Sequence, residues 1–281
     1  MSYINKGLYI VSTPIGNLED ITLRALNILK NSNIILCEDT RHTSKLLNHF
    51  NIKSKLIPYH KFNEKKQLKK IIQYLNEGKI LSLVSDAGTP VLSDPGNLLV
   101  NSCIDNNISI YPIPGPSSIT SAISVAGFDE KFLFHGFLPK KESEIKKEIS
   151  KIQIATYSIV FFVPSIKINF YLKIFKKFFS GRKILIAREI TKLHETYYRG
   201  DIDEIKLFKT PIKGELTVVI SEKNIKDKFF DEKKVIKKAR LYLKKYSLKD
   251  VVELLFESEK INKKKIYQIC LNIKKKDEKN N

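Results

Sequence analysis

Short apolar runs and amphipathic stretches alternate through the first 128 residues of the chain. Strands are predicted at 8–12, 34–37, 55–58, 80–84 and 109–113, where apolar and β-branched residues run together over four or five positions. Between them, 21–29, 64–76, 97–104 and 119–125 carry apolar residues at helical spacing, and Gly78 closes the second of these helices. Strands alternating with helices predict a largely parallel sheet with helices on its faces. From Lys131 the texture changes. Strands are predicted at 132–138, 157–163, 183–188, 196–199 and 216–220, and helices at 142–151, 168–179 and 203–208, a second α/β unit. Phe132, Phe134, Phe137, Phe161 and Phe162 alternate there as strand core residues do. Beyond Ser221 strand signals stop, and 233–245, 248–257 and 263–273 read as three helices with a turn near Asn262, followed by a disordered lysine-rich tail. The expected division is 1–128, 129–222 and 223–281, without an internal repeat.

The predicted strand ends gather the chemistry. The strand at 80–84 runs without a linker into Ser-Asp-Ala-Gly-Thr-Pro-Val-Leu-Ser-Asp-Pro-Gly, residues 85–96. Asp86 offers a carboxylate, Ala87 and Gly88 remove bulk, Thr89 offers a hydroxyl and Pro90 fixes the backbone. Ligands of open α/β sheets bind beyond the carboxyl ends of the strands, so this loop is the expected site. Its second half also reads as a cap, Asp94 at the N-cap and Pro95 at the first helical position. The first strand opens into Thr13-Pro14-Ile15-Gly16-Asn17-Leu18, the second into Glu38-Asp39-Thr40-Arg41-His42, and the fifth into Pro114-Gly115-Pro116-Ser117-Ser118. Neither the dinucleotide pattern Gly-x-Gly-x-x-Gly nor the phosphate loop Gly-x-x-x-x-Gly-Lys occurs, which excludes the common nucleotide-binding α/β types.

Composition narrows the class. With 42% hydrophobic residues the chain can build real cores, and no run reaches the roughly 18 apolar residues of a membrane span. Residues 1–7 lack the apolar core of a signal peptide, so a cytoplasmic location is expected, with no membrane partner. Cys37, Cys103 and Cys270 are far apart and, with five histidines, form no metal-ligand spacing; they are expected to be reduced and structural, with no metal. The net charge of +20 invites a nucleic-acid partner, although only six of the fifty basic residues are arginine. Residues 222–281 hold 19 basic and 10 acidic side chains, which makes them the more basic surface.

Five segments in this order, 13–18, 38–41, 85–90, 114–117 and Arg188-Glu189-Ile190-Thr191-Lys192, resemble the ribosomal RNA small-subunit methyltransferase I group of the tetrapyrrole methylase superfamily. The resemblance runs from about Gly7 to Ile220, and the helical end is similar to that group's small C-terminal domain. It implies two α/β lobes of the tetrapyrrole methylase type, with a cofactor cleft between them, and a helical appendix. It implies S-adenosylmethionine-dependent 2′-O-methylation of a cytidine in the decoding region of 16S ribosomal RNA, free or in the small subunit, by a homodimer. The cofactor-binding residues so implied are Pro14, Gly16, Asp86, Ala87, Gly88, Thr89, Pro90, Pro114, Gly115 and Ser117. Candidates for a catalytic proton acceptor are Glu189, Lys192 and Asp39, with Glu38 beside them; each stands near a predicted strand end. Arg41, Lys263, Lys264 and Lys265 are the candidate RNA contacts. One segment departs from the group: Val163, Ile166 and Lys167 stand where an acidic residue and a His-Arg pair are usual. Two further readings stay open, a tetrapyrrole or protein methyltransferase of the same superfamily and an RNA-binding assembly factor whose catalysis has decayed.

Overall fold

The computed structural model describes residues 4–223, 232–259 and 263–277. Five strands, β1 (Gly7–Val11), β2 (Ile34–Cys37), β3 (Lys55–Pro58), β4 (Ile80–Val84) and β5 (Ile110–Ile113), form one sheet. Its order is β3-β2-β4-β1-β5 and every pairing is parallel. Successive side chains of a strand point to opposite faces, and the cores divide accordingly. Val11, Ile35, Cys37, Val84 and Ile113 pack under α1 (Leu23–Asn31) and α2 (Thr40–His49). Leu8, Ile34, Leu36, Leu81 and Leu83 pack under α3 (Glu64–Asn76) and α4 (Asn97–Asp105). This explains why the strands read as continuous apolar runs: both faces are covered.

The second sheet has the order β6-β7-β10-β8-β9, from β6 (Phe132–Phe137), β7 (Ser158–Pro164), β8 (Lys183–Arg188), β9 (Thr196–Asp201) and β10 (Glu215–Ile220). Only β6 and β7 are parallel; the other pairs are antiparallel. The helix α6 (Glu142–Ile152) buries Ile145 and Ile149. From α7 (Ile168–Phe178), Phe175 stacks on Phe161 with ring centres 5.2 Å apart, and Phe179 packs beside them. The helix α5 (Ser118–Ser124) ties the two sheets together: Ile119 and Ala122 share a buried cluster with Ile15, Val160, Leu185, Ile190 and Val219. A separate unit is built by α8 (Glu232–Leu243), α9 (Leu248–Glu259) and α10 (Lys263–Asp277) around Val235, Val251, Leu255, Ile266 and Cys270.

Three expectations change. Residues 203–208 are not a helix. Asn169 bonds both backbone groups of Phe208, its Nδ2 donating to the carbonyl and its Oδ1 accepting from the N–H at 2.9 Å each, and Asp203 accepts from Ser180 and from the N–H of Gly181. A side chain of α7 thus takes the Phe208 N–H that a helix would have paired with the Glu204 carbonyl, and Asp203 is held by residues outside the segment. Of the five phenylalanines expected in the strand core, Phe161 is fully buried, whereas Phe132 and Phe137 are exposed. The N-cap of α4 is Gly96, at φ 134°, and not Asp94. The turn near Asn262 and the last residues of the lysine-rich tail lie outside the described residues, and α10 extends to Asp277. Among the described residues no helix is long and apolar enough to cross a membrane, and no group of ligating side chains could hold a metal ion. The three cysteines are free and buried, and burial pushes the Cys37 and Cys103 thiols up to about 11.

Candidate active site

The strand order decides which loops meet. In β2-β4-β1-β5 the strands followed by residues 38–42, 85–96, 13–18 and 114–117 are neighbours, so four segments that lie far apart in the chain open at one sheet edge. Backbone bonds stitch them. Thr13 and Gly88 exchange N–H···O bonds of 2.9 and 3.0 Å, Thr13 Oγ1 donates to the Ser85 carbonyl, and Ser12 Oγ lies 2.9 Å from Thr89 Oγ1. The N–H of Asp39 donates to Asp86 Oδ1 at 3.2 Å, so the second strand's loop holds the carboxylate of the fourth's. Within the β4–α4 loop Gly88, Val91 and Ser93 all have positive φ, at 77°, 75° and 70°. For a β-branched residue such as Val91 this is strained, of order 1–3 kcal/mol, and such strain collects at functional sites.

Above this edge lies a cavity of ≈ 370 Å³. The first lobe contributes Ile15, Asp86 to Thr89, Leu92 to Asp94 and Ser117 to Ile119; the second contributes Phe137, Phe162 to Pro164, Ile190 and Gly214 to Thr217. Asp94 is the most perturbed acid of the cavity. Burial, with Glu38 and Asp86 adding like charge, raises its pKa to about 6 against the relief given by a Ser85 hydrogen bond. Burial and Asp86 raise Glu38 as well. One side of the cavity is therefore carboxylate-rich, which favours a cationic ligand.

The second lobe closes the site with the segment after β8. Glu189 and Thr191 sit at φ 52° and 66°. Lys192 Nζ bridges Glu189 Oε1 at 3.1 Å and Glu215 Oε2 at 2.9 Å, and Glu189 Oε1 also accepts from the N–H of Glu215. Partial burial pushes Glu189 up, but that N–H and Lys192 hold it net below the usual carboxylate range. Burial lowers Lys192, yet Glu215 and Glu189 raise it overall. Opposite, Gly16 packs so closely on Lys192, Thr191 and the Ile190 carbonyl that a Cβ there would collide, and Asn17 N–H donates to Thr191 Oγ1 at 3.1 Å.

The profile of the family described as Tetrapyrrole (Corrin/Porphyrin) Methylases matches residues 7–206. The chain belongs to that family. Within it, the relatives that resemble this methylase over most of its length bear the name ribosomal RNA small subunit methyltransferase I. That of Mesomycoplasma conjunctivae is 44% identical over 237 residues, 84% of this chain and 96% of the relative. That of Thermotoga maritima is 45% identical over 220 residues, 77% of this chain and 98% of its own. The protein of Rickettsia prowazekii is 40% identical over 272 residues, 95% of this chain and 96% of its own. Among solved structures, the methyltransferase CobJ superposes with a TM-score of 0.58 at 17% identity, over 77% of this chain and 94% of that one. The uroporphyrin-III C-methyltransferase of Thermus thermophilus, complexed with S-adenyl homocysteine, gives 0.53 at 14%, over 77% and 97%. At these identities the likeness is one of fold.

The residues expected to hold the methylase's cofactor divide into two sets. Asp86, Ala87, Gly88, Thr89 and Ser117 line the cavity. Pro14, Gly16, Pro90, Pro114 and Gly115 do not; Gly16 abuts the Lys192 segment and Gly115 abuts Ser12, where a Cβ would come within 2.9 Å of the Ser12 Cβ, so both serve close approach of backbones. Among the expected proton acceptors, Asp39 caps α2 and pairs with Arg41 at 2.7 Å, which holds its carboxyl well below the usual range. Asp39, Glu189 and Lys192 all stand outside the cavity lining. Lys263 pairs with Glu253 at 2.6 Å and lies over the Phe256 ring within the helical unit. The side chains of Lys264 and Lys265 lie outside the described residues. In the sequence Asp94 falls in the half of the loop that also reads as a cap, Phe137 and Phe162 read as strand core with stacking on RNA bases as the lesser alternative, and Gly214 to Thr217 read only as the entry to a closing strand. Of the unusual segment, Val163 lines the cavity whereas Ile166 is exposed.

Proposed function

We propose that this methylase modifies small-subunit ribosomal RNA, with S-adenosylmethionine as methyl donor, at the ribose 2′-hydroxyl of a cytidine in the decoding region. The observation that carries the reading is the cavity at the four converging loops, lined by Asp86 to Thr89, in a chain 40–45% identical to the ribosomal RNA small subunit methyltransferases I named above. The ribose position rests on the resemblance of the five segments to that group. Working as a homodimer on the small subunit in the cytoplasm, dividing its labour among residues 1–128, 129–222 and 223–281, belongs to the same reading.

The residues present fit the cofactor. Gly88 lines the cavity without a side chain to fill it, Asp86 and Asp94 offer carboxylates to a cation, and Ile15, Ile119 and Leu216 offer apolar contact. Residues Asp86 to Thr89 would hold the cofactor, which would supply an electrophilic methyl carbon on sulfur; the ribose oxygen would gain the methyl, the carbon–sulfur electrons would stay on sulfur, and the hydroxyl proton would pass to water. The chain's contribution is alignment. Holding oxygen, carbon and sulfur in line can supply roughly 7–11 kcal/mol in well-oriented systems, and the bonds from Asp39 to Asp86 and from Thr13 to Gly88 fix the loop that does so. Glu189 and Lys192 act in this reading as a brace, because their charges are already spent on each other and on Glu215.

The test combines calorimetric titration with methyl transfer from labelled cofactor to small subunits lacking the modification. Wild type should bind S-adenosylmethionine and label the RNA. Asp86→Ala should weaken cofactor binding at least about tenfold, the loss expected for a charged hydrogen-bonding partner of about 1.5–3 kcal/mol. Cofactor binding without RNA labelling, but with transfer to a tetrapyrrole, would replace the substrate.

A further inference from the structure

The second-lobe side of the cavity carries an aromatic pair that cofactor binding does not require. Phe137 is 59% exposed yet lines the cavity, and its ring centre lies 5.3 Å from that of Phe162, another lining residue. A lone exposed phenylalanine needs no explanation. Phe137 is different because the strand is built to aim it. The β6–β7 pairing runs Phe134 to Val160, then Gly136 to Phe161 and Phe137 to Phe162, so His135 is an extra residue in β6. In a regular strand Phe134 and Phe137, three positions apart, would face opposite sides. The bulge puts both on one side, each against Phe162, at 5.1 and 5.3 Å. Gly136 takes φ 76°, which glycine alone adopts without cost, and a Cβ there would stand 3.0 Å from Ser93 Oγ of the β4–α4 loop. Bulges next to active sites commonly re-aim a side chain.

We propose that Phe137, backed by Phe162, is the stacking platform for the base of the nucleotide being methylated. This rests on the ribosomal RNA reading above and names the part of the site that takes the RNA. A nucleobase is a planar group whose faces want an aromatic surface and whose edges want hydrogen bonds, and sequence-specific RNA recognition uses unstacked bases laid on such rings. Polar edges are at hand in the same cavity, at Thr217 and Glu215. The adenine of the cofactor is the competing occupant. Phe137 is the most exposed of the large apolar residues lining the cavity and stands on the lobe opposite the small-residue loop at Asp86 to Thr89, so the ring is available to a substrate arriving from solvent.

Full-length wild type, Phe137→Leu and Phe137→Trp are compared by cofactor titration and by steady-state methylation of small subunits lacking the modification. Because Phe137 is exposed, all three should melt together. The leucine variant should keep its cofactor Kd within about twofold and lose kcat/KM for the RNA by at least about fivefold, the low end of stacking on one base, and tryptophan should restore it. An unchanged kcat/KM in the leucine variant overturns the proposal, as does a weakened cofactor Kd that accounts for the loss. Wild type that binds cofactor but labels no small-subunit RNA overturns the ribosomal reading itself, an outcome visible before any variant is made.

Discussion

Asp94 sits in the cavity with its pKa raised to about 6, because burial first and then the charges of Glu38 and Asp86 disfavour ionisation. In the pH interval between the unfolded value of 3.8 and about 6 the folded chain binds more proton than the unfolded one, so stability falls as pH rises through it and stays lower above. Removing the charge should reverse this. Asp94→Asn is expected to gain about 1 kcal/mol of stability near neutral pH, after discounting for a partly exposed group, and to gain nothing below about pH 4. Urea unfolding at both ends of the range checks it. Equal stability of the two proteins at neutral pH would mean that the carboxylate is compensated. A residue that costs stability where it is ionised is the kind retained for binding. Asp86 stands out in the sequence because its loop follows a buried strand and is rich in small residues, and in the structure it lines the cavity, whereas Asp94 was masked by a cap reading and the cap is Gly96.

Among the elements, the segment between β9 and β10 shows local and tertiary preference in conflict. Residues 203–208 have helical spacing, yet Asn169 on α7 claims the backbone of Phe208 in both directions. Breaking that pair should matter. Asn169→Ala is expected to lower stability by about 1–3 kcal/mol, the cost of leaving partly buried backbone groups unpaired, while the cofactor Kd stays unchanged. Thermal melting beside calorimetry separates the two; unchanged melting would mean that water replaces the side chain without loss. The β4–α4 loop is the opposite case. Its type and position were readable, since glycine, proline and aspartate after an apolar run leave few alternatives, but its positive φ at Val91 and Ser93 gave no sequence signal, neither residue being glycine.

At the scale of the molecule the charge is unevenly placed. Residues 222–281 carry 19 of the fifty basic side chains and 10 of the thirty acidic ones, and without them the net charge falls from +20 to +11. If that end meets RNA phosphates, a chain ending at Ser221 should keep cofactor binding. Its binding to small-subunit RNA should show a dependence of log K on log salt shallower by about one unit or more, since each lost phosphate contact removes about 0.7–0.9. Filter binding across a salt series measures the slope. An unchanged slope would assign RNA binding to the two sheets instead.

The sequence by itself determined the first sheet's strands to within one or two residues, the helices between them except α2, whose start it read as a charged loop, the three helices at the end, and the loop at Asp86 to Thr89. These follow from local physics: apolar periodicity, turn residues and small side chains act over a few positions. Only the tertiary structure decided the rest. The order β3-β2-β4-β1-β5 is a long-range pairing that no local pattern encodes, and it alone brings residues 13–18 and 85–90 into hydrogen bonding across more than seventy positions. The cavity's second wall has the same origin. Phe137 turns toward it through a one-residue bulge, and a shift of one position in a strand reverses the face of every side chain beyond it.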